Sequence, residues 1–481
     1  MPVSTKSPAK VFPFLLDGKW VSEGRLLEIE SPYDGEPVGT TYWATPENLE
    51  AATRAAVRTF EITRRMPVYG RKRILRAISD EIAIRQEEFA RLIALEAGKP
   101  IKTARAEVAR SVFAFAIAAE ESGRIGGEWL PMDLQPSSAG MSAIVRRFPL
   151  GPMEAITPFN FPLNLVAHKV APAIAAGCTM VLKPAPKTPL TALLLAGVVE
   201  NAGWPEGALN VLSLSNDDAA RMVADDRFKL LTFTGSGAVG WALKQKAGKK
   251  KVALELGGNA AVVIHSDADI DFAAERCTLG GFSYAGQSCI SVQRIYVQRS
   301  VEDKFIDALL PRVAKLKLGD PLDESTDVGP MINEDAAKRA AAWVEEATSS
   351  GAKILIGGKR QGALMEPTVL AHTKPNMRVD CEEVFAPIVV VEPYDDFAEA
   401  LRRVNDSQFG LQAGLFTRDA KLIFQAYDEL EVGGVIVGDM PSLRIDHMPY
   451  GGVKESGLGR EGLRYAIEEM TEPKILVLNL R

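Results

Sequence analysis

The stretch LTFTGSGAVGWALKQK, residues 231–246, joins an apolar strand pattern to a helix pattern through the glycine turn Gly235-Ser-Gly-Ala-Val-Gly240. A strand, such a turn and a helix make up the dinucleotide-binding pattern, in which the helix N-terminus attracts phosphate. The pattern is weak by itself, because a glycine turn that binds nothing has the same letters. Glu255 lies where an ordinary dinucleotide fold places a ribose-binding acid, but it also ends a short strand pattern before a glycine pair. Its position alone therefore does not decide its role.

Strand and helix patterns alternate around this stretch, which predicts an α/β fold with a parallel sheet covered by helices. Strands are predicted at residues 179–182, 209–212, 229–233 and 252–256, and helices at residues 188–202, 217–225 and 238–246. A second α/β run carries Cys289, with a predicted strand at residues 295–297 and helices at residues 269–284, 301–316 and 334–349. Before the sheet, helices are predicted at residues 45–60, 69–97 and 103–122, the first capped by Thr45 and the second ended by Gly98.

Composition and charge limit the class of protein. The 481 residues are 47% hydrophobic and carry a net charge of −6, so they can bury a large core but are not expected to bind nucleic acid. No apolar run approaches a membrane span and the N-terminus lacks a signal-peptide pattern, so we expect a cytoplasmic protein that binds no membrane. The four cysteines lack metal-ligand or disulfide spacing, so no metal site is predicted.

Further motifs follow one another along nearly the whole chain. They are FTGS (233–236), ELGG (255–258), GQSC (286–289), EEVFAPI (382–388) and PYGGVKESGLGREG (449–462), with TPFNFP around Asn160 and LKPA at Lys183. This ordered set resembles the signature motifs of the aldehyde dehydrogenase superfamily. The resemblance implies an NAD(P)-dependent oxidoreductase that converts an aldehyde to a carboxylic acid. Within the superfamily, the chain looks like the lactaldehyde, succinate-semialdehyde and sulfolactaldehyde dehydrogenases.

The resemblance also implies an architecture. It divides the chain into a Rossmann-like parallel-sheet cofactor domain (residues 1–126 and 149–257), an α/β catalytic domain (258–463) and a small β oligomerisation arm (127–148 and 464–481). Residues 126–149 contain helix breakers and strand alternation, which is typical of a hairpin-like excursion. Residues 474–480, KILVLNL, predict a terminal strand that could join the arm. The implied assembly is a homodimer or homotetramer.

Five residues acquire catalytic roles from the resemblance. Cys289 would be the nucleophile, because an aldehyde releases hydride only after a thiolate has made its carbon tetrahedral as a thiohemiacetal. Asn160 and the main-chain N–H of Cys289 would stabilise the developing oxyanion. Glu255 would activate the water that hydrolyses the resulting thioester. Lys169 and Glu461 match a pair proposed to pass the proton to solvent, although each could also be an ordinary surface charge.

The implied cofactor is NAD or NADP. Its binding residues would be Ile156, Thr157, Pro158, Phe159, Lys183, Pro186, Gly235, Ser236, Leu256, Glu383 and Phe385. Ser236 would meet the pyrophosphate at a helix N-terminus, Lys183 the adenosine ribose and Glu383 the nicotinamide ribose. One position departs from the family pattern, because NAD-preferring relatives usually carry Glu three residues after the lysine and this chain has Pro186. The missing carboxylate removes a repulsion against a 2′-phosphate, which favours use of both cofactors.

The substrate is expected to be a small polar aldehyde with an anionic group, such as a carboxylate, sulfonate or phosphonate. The residues expected to bind it are Phe161, His168, Arg444, His447 and Tyr450. Arg444 is the strongest candidate for the anion, because a guanidinium binds an oxyanion bidentately whereas a histidine must first be protonated. Phe161 and Tyr450 would form aromatic walls. The alternative for Arg444 is an ion pair with Asp439 or Asp446 that stabilises only the loop.

Three other functions stay open at this point: a non-catalytic structural or binding protein on the same fold, a cysteine hydrolase, and a dehydrogenase for neutral aliphatic aldehydes. The intact Cys289, Glu255 and Asn160 disfavour the first. The dinucleotide turn upstream of the cysteine, and the presence of only four histidines in the chain, disfavour the second. Two further departures, Tyr284 where the family often has Asn and Ala386 where it often has Gly, weaken only the subfamily assignment.

Overall fold

The computed structural model describes residues 10–479, and its main sheets are two large ones and a small antiparallel one. Helix α1 begins as predicted, because the Thr45 hydroxyl accepts from the backbone N–H of Asn48 and the Asn48 side chain accepts from the backbone N–H of Thr45. The first elements are β1 (Phe14–Leu16), β2 (Lys19–Val21), β3 (Leu26–Glu30), β4 (Pro37–Tyr42), α1 (Pro46–Thr63), α2 (Val68–Ile84), α3 (Gln86–Ala97) and α4 (Ile101–Ser122).

The single helix predicted for residues 69–97 is in fact two helices, α2 and α3, separated at Arg85. Arg85 leaves helical geometry with φ −97° and ψ 20°, and its guanidinium donates to Glu81 before the break and to Glu88 after it. No glycine or proline lies at this position, and the apolar periodicity continues across it. The sequence therefore gives no sign of the break. Helix α3 then ends at the left-handed Gly98, with φ +68°, as predicted.

The first large sheet follows the predicted alternation of strands and helices. Its parallel strands run in the order β9-β8-β7-β10-β11, and β1 and β2 extend it antiparallel beyond β9. The predicted element ends differ by one or two residues, as is usual, and β1, β2, β7 and α5 are absent from the predicted set. The elements are β5 (Gly127–Pro131), β6 (Met141–Pro149), β7 (Met153–Ile156), α5 (Asn164–Ala176), β8 (Met180–Lys183), α6 (Leu190–Asn201), β9 (Leu209–Val211), α7 (Asn216–Ala224), β10 (Leu230–Thr234), α8 (Gly237–Lys246) and β11 (Lys251–Glu255).

The second large sheet is built from the next part of the chain. Its elements are β12 (Ala261–Ile264), α9 (Ile270–Phe282), β13 (Arg294–Gln298), α10 (Glu302–Ala314), α11 (Glu334–Ser349), β14 (Lys353–Ile356), β15 (Arg360–Gln361), β16 (Leu364–Met365), β17 (Thr368–Ala371), α12 (Arg378–Cys381), β18 (Ile388–Tyr394), α13 (Phe397–Asn405), β19 (Phe409–Gly410), β20 (Gln412–Phe416), α14 (Ala420–Glu429) and β21 (Gly434–Val437). The strand order is β14-β17-β18-β13-β12-β20-β21, parallel except for the antiparallel pair β14–β17.

Helix α9 ends earlier than predicted, and this difference shapes the site. Tyr284 and Ala285 adopt left-handed backbone conformations with φ of 50° and 52°, which bulky residues rarely do. The hydroxyl of Tyr284 donates to the carbonyl of Ala97 at 2.9 Å, which holds the turn in place. The chain is thereby redirected just before the Gly-Gln-Ser-Cys turn.

The C-terminal segment returns to the first sheet and completes the small one. Its elements are β22 (Val453–Lys454), β23 (Gly457–Leu458), α15 (Leu463–Glu469) and β24 (Thr471–Asn479). Strand β23 pairs antiparallel with β11 and sets Gly457 opposite Glu255. Strand β24 pairs with β6 along its whole length, and β5 pairs with the other edge of β6. The hairpin-like excursion and the terminal strand are confirmed, although the strand starts before the predicted residue and Leu480 lies outside the described residues.

The two largest apolar cores among residues 10–479 support these sheets. One packs the first sheet against the helices from α1 to α6, with Phe89 and Phe115 fully buried, and the other packs the second sheet against α9 to α11, with Phe305 fully buried. Between residues 10 and 479, no helix has both the length and the hydropathy that a membrane crossing requires.

Candidate active site

A cavity of about 600 Å³ gathers residues from both large sheets and the C-terminal segment. Most of the predicted catalytic, cofactor-binding and substrate-binding residues line this cavity. They are Pro158, Phe159, Asn160, Phe161, Gly235, Ser236, Glu255, Leu256, Cys289, Glu383, Phe385, Arg444, Tyr450 and Glu461. Strands β10 and β11 end at this cavity, as expected for a ligand site in an open α/β sheet. The other predicted residues lie behind or beside it: Ile156, Thr157, His168, Lys169, Lys183, Pro186 and His447.

Cys289 sits on a tightly packed turn. A side chain at Gly258 would place its Cβ 2.5 Å from the Cys289 carbonyl oxygen, so the glycine pair after Glu255 lets the two segments touch. The Sγ of Cys289 lies 3.0 Å from the Tyr450 hydroxyl oxygen, which among residues 10–479 is its hydrogen-bond partner. Burial raises the pKa of the Cys289 thiol to about 12. No histidine base accompanies the sulfur, which disfavours the cysteine-hydrolase alternative.

Asn160 reaches the same turn from the other side of the cavity. Its amide Nδ2 donates to the carbonyl of Gln287 at 3.1 Å, two residues before Cys289. An amide nitrogen carries two N–H groups, and this bond uses one of them. Asn160 is buried and lines the cavity, so its remaining N–H can serve an oxygen bound there.

Glu255 ends β11 as a buried carboxyl. Among residues 10–479 its Oε2 has no hydrogen-bond partner. Burial, and then the negative charge of Glu461, raise the pKa of Glu255 well above its ordinary value. A carboxylate with a raised pKa is a stronger base near neutral pH, and such groups concentrate in active sites.

Lys169, Glu461 and Arg444 form a buried chain of charges beside Glu255. The Nζ of Lys169 donates to Thr232 Oγ1 at 2.9 Å and lies 3.3 Å from Glu461 Oε1. A guanidinium nitrogen of Arg444 donates to Glu461 Oε2 at 2.8 Å. Burial alone would raise the pKa of Glu461, but the positive charges of Lys169 and Arg444 outweigh it and lower the pKa to about 2. Neither Lys169 nor Glu461 is an exposed surface charge.

Arg444 does not form either of the loop ion pairs considered for it. Asp439 pairs with Arg276 at 2.6 Å, and Asp446 pairs with Arg110 at 2.6 Å. The guanidinium of Arg444 instead lies 3.8 Å from the centre of the Tyr450 ring, besides its bond to Glu461. Its Nε is buried and has no hydrogen-bond partner among residues 10–479, and Arg444 is one of the residues that line the cavity.

The sequence predicts two histidines at the substrate, whereas the structure places neither against the cavity. His168 is buried behind Arg444, with Nδ1 3.3 Å from the guanidinium and Nε2 2.8 Å from Asp446 Oδ1. Burial and the charge of Arg444 lower the pKa of His168, which disfavours a cationic imidazole there. His447 is exposed and packs edge-on against Phe113. Neither histidine is among the residues that line the cavity, and their contact with substrate stays a prediction.

The glycine turn after β10 has the packing that a dinucleotide requires. Ser236 is the N-terminal capping residue of α8, and its side chain makes no capping hydrogen bond. A Cβ at Gly235 would lie 2.6 Å from the Phe233 ring, and one at Gly240 would overlap Leu256. The glycines thus let helix and strand pack closely and leave the helix N-terminus open toward the cavity.

The remaining cofactor candidates lie at neighbouring strand ends. Ile156 and Lys183 are paired residues at the ends of β7 and β8, and the Thr157 N–H donates to the Lys183 carbonyl at 3.1 Å. Burial lowers the pKa of Lys183 to about 8, and within residues 10–479 its ammonium group has no hydrogen-bond or ion-pair partner. A buried cation without a partner fits a ligand with hydroxyl or phosphate oxygens. Pro186 is half-buried on the loop that follows.

Glu383 and Phe385 face this region from the second sheet. The Oε1 of Glu383 accepts from the Gly258 N–H at 3.0 Å, and burial raises the pKa of Glu383 to about 7. Phe385 has a left-handed backbone with φ of 50°. Its ring packs edge-on against the ring of Phe159, and the two ring centres are 6.0 Å apart. Such backbone strain in a non-glycine residue is found chiefly at functional sites.

Arg110 and Arg339, which line the cavity, and Lys99, which lies behind Phe161, are charged residues outside the sequence motifs. Arg110 lines the cavity on the face of α4 that also carries Thr103 and Ala106, and this helical spacing was the available signal. Lys99 lies 3.7 Å from the centre of the Phe161 ring and is fully buried in an ion pair with Glu107. In the sequence its Gly-Lys-Pro context indicates only a helix end.

The aldehyde dehydrogenase family pattern matches residues 20–476. A 3-sulfolactaldehyde dehydrogenase from Priestia aryabhattai is 44% identical over 479 residues, covering 99% of this chain and 100% of that protein.

Two solved structures are similar over almost their full lengths. Aldehyde dehydrogenase 21 from Physcomitrella patens, in complex with the reaction product succinate, has a TM-score of 0.97 and 45% identity and covers 99% of both chains. A glyceraldehyde-3-phosphate dehydrogenase from Methanocaldococcus jannaschii, complexed with NADP, has a TM-score of 0.92 and 38% identity and covers 95% of this chain and 100% of that one. The predicted α/β fold class is confirmed by these matches.

Proposed function

Because this chain belongs to the aldehyde dehydrogenase family, we propose that it oxidises a small anionic aldehyde to the corresponding carboxylic acid with NAD or NADP. The observation that carries the proposal is Arg444, a cation with a largely buried side chain that lines the cavity containing Cys289. Arg110 and Arg339 also line the cavity. A neutral aliphatic aldehyde would offer these cations no oxyanion with which to pair.

The three similar proteins agree with an anionic substrate. Their names refer to a sulfonated aldehyde, to a dicarboxylate product and to a phosphorylated aldehyde. These compounds share an oxyanion at the end of a short chain, and a guanidinium binds each type of oxyanion through paired N–H donors. We therefore propose the class of anionic aldehyde rather than one member of it.

The proposed reaction starts at Cys289. The Cys289 thiol releases its proton to solvent, the sulfur lone pair forms a bond to the aldehyde carbon, and the carbonyl π pair moves onto oxygen. Asn160 and the Cys289 main-chain N–H stabilise this oxyanion. A nicotinamide cofactor held by the predicted cofactor residues would supply the acceptor for the hydride of the tetrahedral carbon. Cys289 then carries the acyl group as a thioester.

Glu255 acts in the second half of the reaction. Its carboxylate takes a proton from water, the hydroxide adds to the thioester carbon, and the carbon–sulfur bond breaks to release the acid. The raised pKa of Glu255 suits this role. Lys169 and Glu461 are joined by a hydrogen bond beside it, which supports the proposal that they carry its proton toward solvent.

The proposed cofactor site has its phosphate end at Ser236 and its adenosine ribose at Lys183. Glu383 would bind the nicotinamide ribose, with Phe385 and Phe159 against the ring. The unpartnered ammonium of Lys183 and the open N-terminus of α8 support this arrangement. The same proposal places Ile156, Thr157, Pro158, Gly235 and Leu256 along the cofactor.

The assembly is proposed from the small antiparallel sheet. Residues 127–148 and 464–481 form the proposed arm, residues 1–126 and 149–257 the cofactor domain, and residues 258–463 the catalytic domain. Strand β24 exposes Ile475, Leu476 and Val477, and an exposed apolar strand is typical of a surface that another subunit covers. We propose a homodimer or homotetramer built through this arm.

Replacing Arg444 with Leu tests the proposed substrate class. We expect the ratio of kcat/KM for succinate semialdehyde to that for butanal to fall about tenfold or more, because a charge-assisted hydrogen bond is lost only with the anionic substrate. The two aldehydes have the same carbon chain and differ in the carboxylate. The measurement is steady-state formation of NAD(P)H.

The pair of substrates also provides the control. Arg444 contacts Glu461 and Tyr450, so its loss can slow both reactions, and only the ratio reports anion binding. An Arg444→Lys variant keeps the charge and should lie between wild type and Arg444→Leu. Equal losses on both aldehydes would rule out Arg444 as the anion-binding residue.

Replacing Pro186 with Glu tests the adenosine-ribose assignment. The added carboxylate should accept hydrogen bonds from the ribose hydroxyls and repel a 2′-phosphate, so the preference should shift toward NAD by about tenfold. The measurements are the dissociation constants of NAD and NADP, together with the ratio of their kcat/KM values. Pro186→Gln is the matched uncharged control. A ratio that changes equally in both variants, or in neither, would show that position 186 does not face the ribose.

A further inference from the structure

The hydroxyl of Tyr450 touches the reacting sulfur, although the sequence motif places this residue only as an aromatic wall. Its oxygen lies 3.0 Å from the Sγ of Cys289. The contact is close for a hydrogen bond to sulfur. Within residues 10–479 no other side chain forms a hydrogen bond to this sulfur.

The phenol ring is held rigidly in this position. Its backbone is paired on both sides with Glu461, since the Tyr450 N–H donates to the Glu461 carbonyl at 3.1 Å and the reverse bond measures 2.6 Å. The Arg444 guanidinium covers one face of the ring at 3.8 Å, and the ring packs with Ile290 and Leu411. The hydroxyl is therefore aimed at the sulfur before any substrate binds.

The ionisation states of the phenol and the thiol decide which of the two groups donates the hydrogen bond. A phenol is a good donor and a thiol sulfur a weak acceptor, whereas a thiolate can only accept. The hydrogen bond therefore strengthens when the sulfur ionises. Burial raises the pKa of Tyr450 well above its ordinary value, so the phenol keeps its proton while the thiolate forms.

The other charged groups around the sulfur do not replace this donor. Burial raises the pKa of Cys289 to about 12, the hydrogen bond from Tyr450 lowers it, Glu383 and Glu255 raise it further, and Arg444 lowers it. Arg444 acts on the sulfur through its charge and without a direct hydrogen bond. Tyr450 is thus the group in contact with the sulfur that favours its ionised form.

We propose that the Tyr450 hydroxyl is a catalytic group, which donates a hydrogen bond to the Cys289 thiolate and so stabilises the nucleophile before it attacks the aldehyde. This inference rests on the proposed role of Cys289. During the step, the Cys289 proton is released to solvent, the sulfur lone pair forms the bond to the carbonyl carbon, and the carbonyl π pair moves to oxygen. Tyr450 keeps its own proton throughout, and its hydrogen bond weakens as the sulfur loses its charge.

The test is the pH profile of Cys289 alkylation in wild type and in Tyr450→Phe. Phenylalanine keeps the ring under Arg444 and removes only the hydroxyl. Iodoacetamide reacts with the thiolate, and peptide mass spectrometry reads the reaction at Cys289. We expect the profile to move to higher pH by about one unit with an unchanged plateau, so that alkylation at neutral pH is about tenfold slower. The acid limb of the kcat/KM profile should move in the same direction.

Two controls separate this effect from a general change in structure. Cys381, a half-buried thiol outside the site, should keep its own profile in the same samples. Tyr394→Phe removes another buried tyrosine hydroxyl, one bonded to His265, and should leave the Cys289 profile unchanged. Thermal unfolding of Tyr450→Phe reports whether it folds normally.

The inference fails if the Cys289 profiles of wild type and Tyr450→Phe coincide. It also fails if only the plateau drops while the half-maximal pH stays the same, because access rather than ionisation would then have changed. This readout is independent of dehydrogenase turnover. A Cys289→Ser variant that retained turnover would overturn the proposed function, whereas coincident alkylation profiles would overturn only the role of Tyr450.

Discussion

A Cys289→Ser variant is expected to lose about a thousandfold or more of its NAD(P)H-forming activity while it still binds the cofactor. A serine hydroxyl is a far poorer nucleophile than a thiolate at neutral pH, and no other group in the cavity can form the thiohemiacetal. The measurements are steady-state absorbance of NAD(P)H and direct titration of NAD or NADP binding. The cofactor residues lie on other segments, so binding should be preserved.

Cys381→Ser is the matched control for this experiment. It makes the same chemical change at a half-buried cysteine at the end of α12, and it should retain wild-type turnover. Substantial NAD(P)H formation by Cys289→Ser would contradict the covalent mechanism. Loss of cofactor binding in that variant would instead indicate a disturbed fold.

A Glu255→Gln variant is expected to stop after a single turnover. Thiohemiacetal formation and hydride transfer need no activated water, so about one NAD(P)H should form per active site in a rapid burst. The thioester should then accumulate, because glutamine cannot take the proton from water. We expect the steady state after the burst to be about a hundredfold or more slower than wild type.

Hydroxylamine distinguishes a deacylation defect from a general loss of activity. It attacks the thioester without needing a base, so it should restore turnover of Glu255→Gln and form a hydroxamate. A variant with no burst would place Glu255 before hydride transfer. An undiminished steady-state kcat would exclude Glu255 as the base.

Features that depend on local chemistry were predictable from the sequence. The Thr45 cap, the left-handed Gly98 and the strand–turn–helix around Gly235 all form as expected, because each is decided by a few neighbouring residues. The motif residues Asn160, Glu255 and Cys289 also lie together at one cavity. These motif residues sit on turns and strand ends whose geometry requires particular residue types.

Features that depend on the choice among distant partners were not predictable. Arg444 has nearby aspartates in the sequence but pairs with Glu461, because Arg110 and Arg276 occupy those aspartates. The break at Arg85 lacks a glycine or proline signal, and the left-handed Tyr284 is stabilised by the distant carbonyl of Ala97.

The same limit applies to the histidines and to Tyr450. His168 directly precedes Lys169 in sequence, yet it is enclosed behind Arg444 with Asp446 as its partner. The sulfur contact of Tyr450 joins residues far apart in the chain. A long polar side chain takes the partner that satisfies its buried atoms, and that choice depends on the whole fold.

The most direct test of the central claim is to trap the acyl enzyme. Glu255→Gln is incubated with succinate semialdehyde and NAD or NADP, quenched in acid and mapped by peptide mass spectrometry, with butanal as the neutral comparison. The account predicts a succinyl group on Cys289, formed at substrate concentrations at which butanal leaves little acyl group there. An acyl group on a different residue, no acyl group at all, or faster acylation by butanal would contradict it.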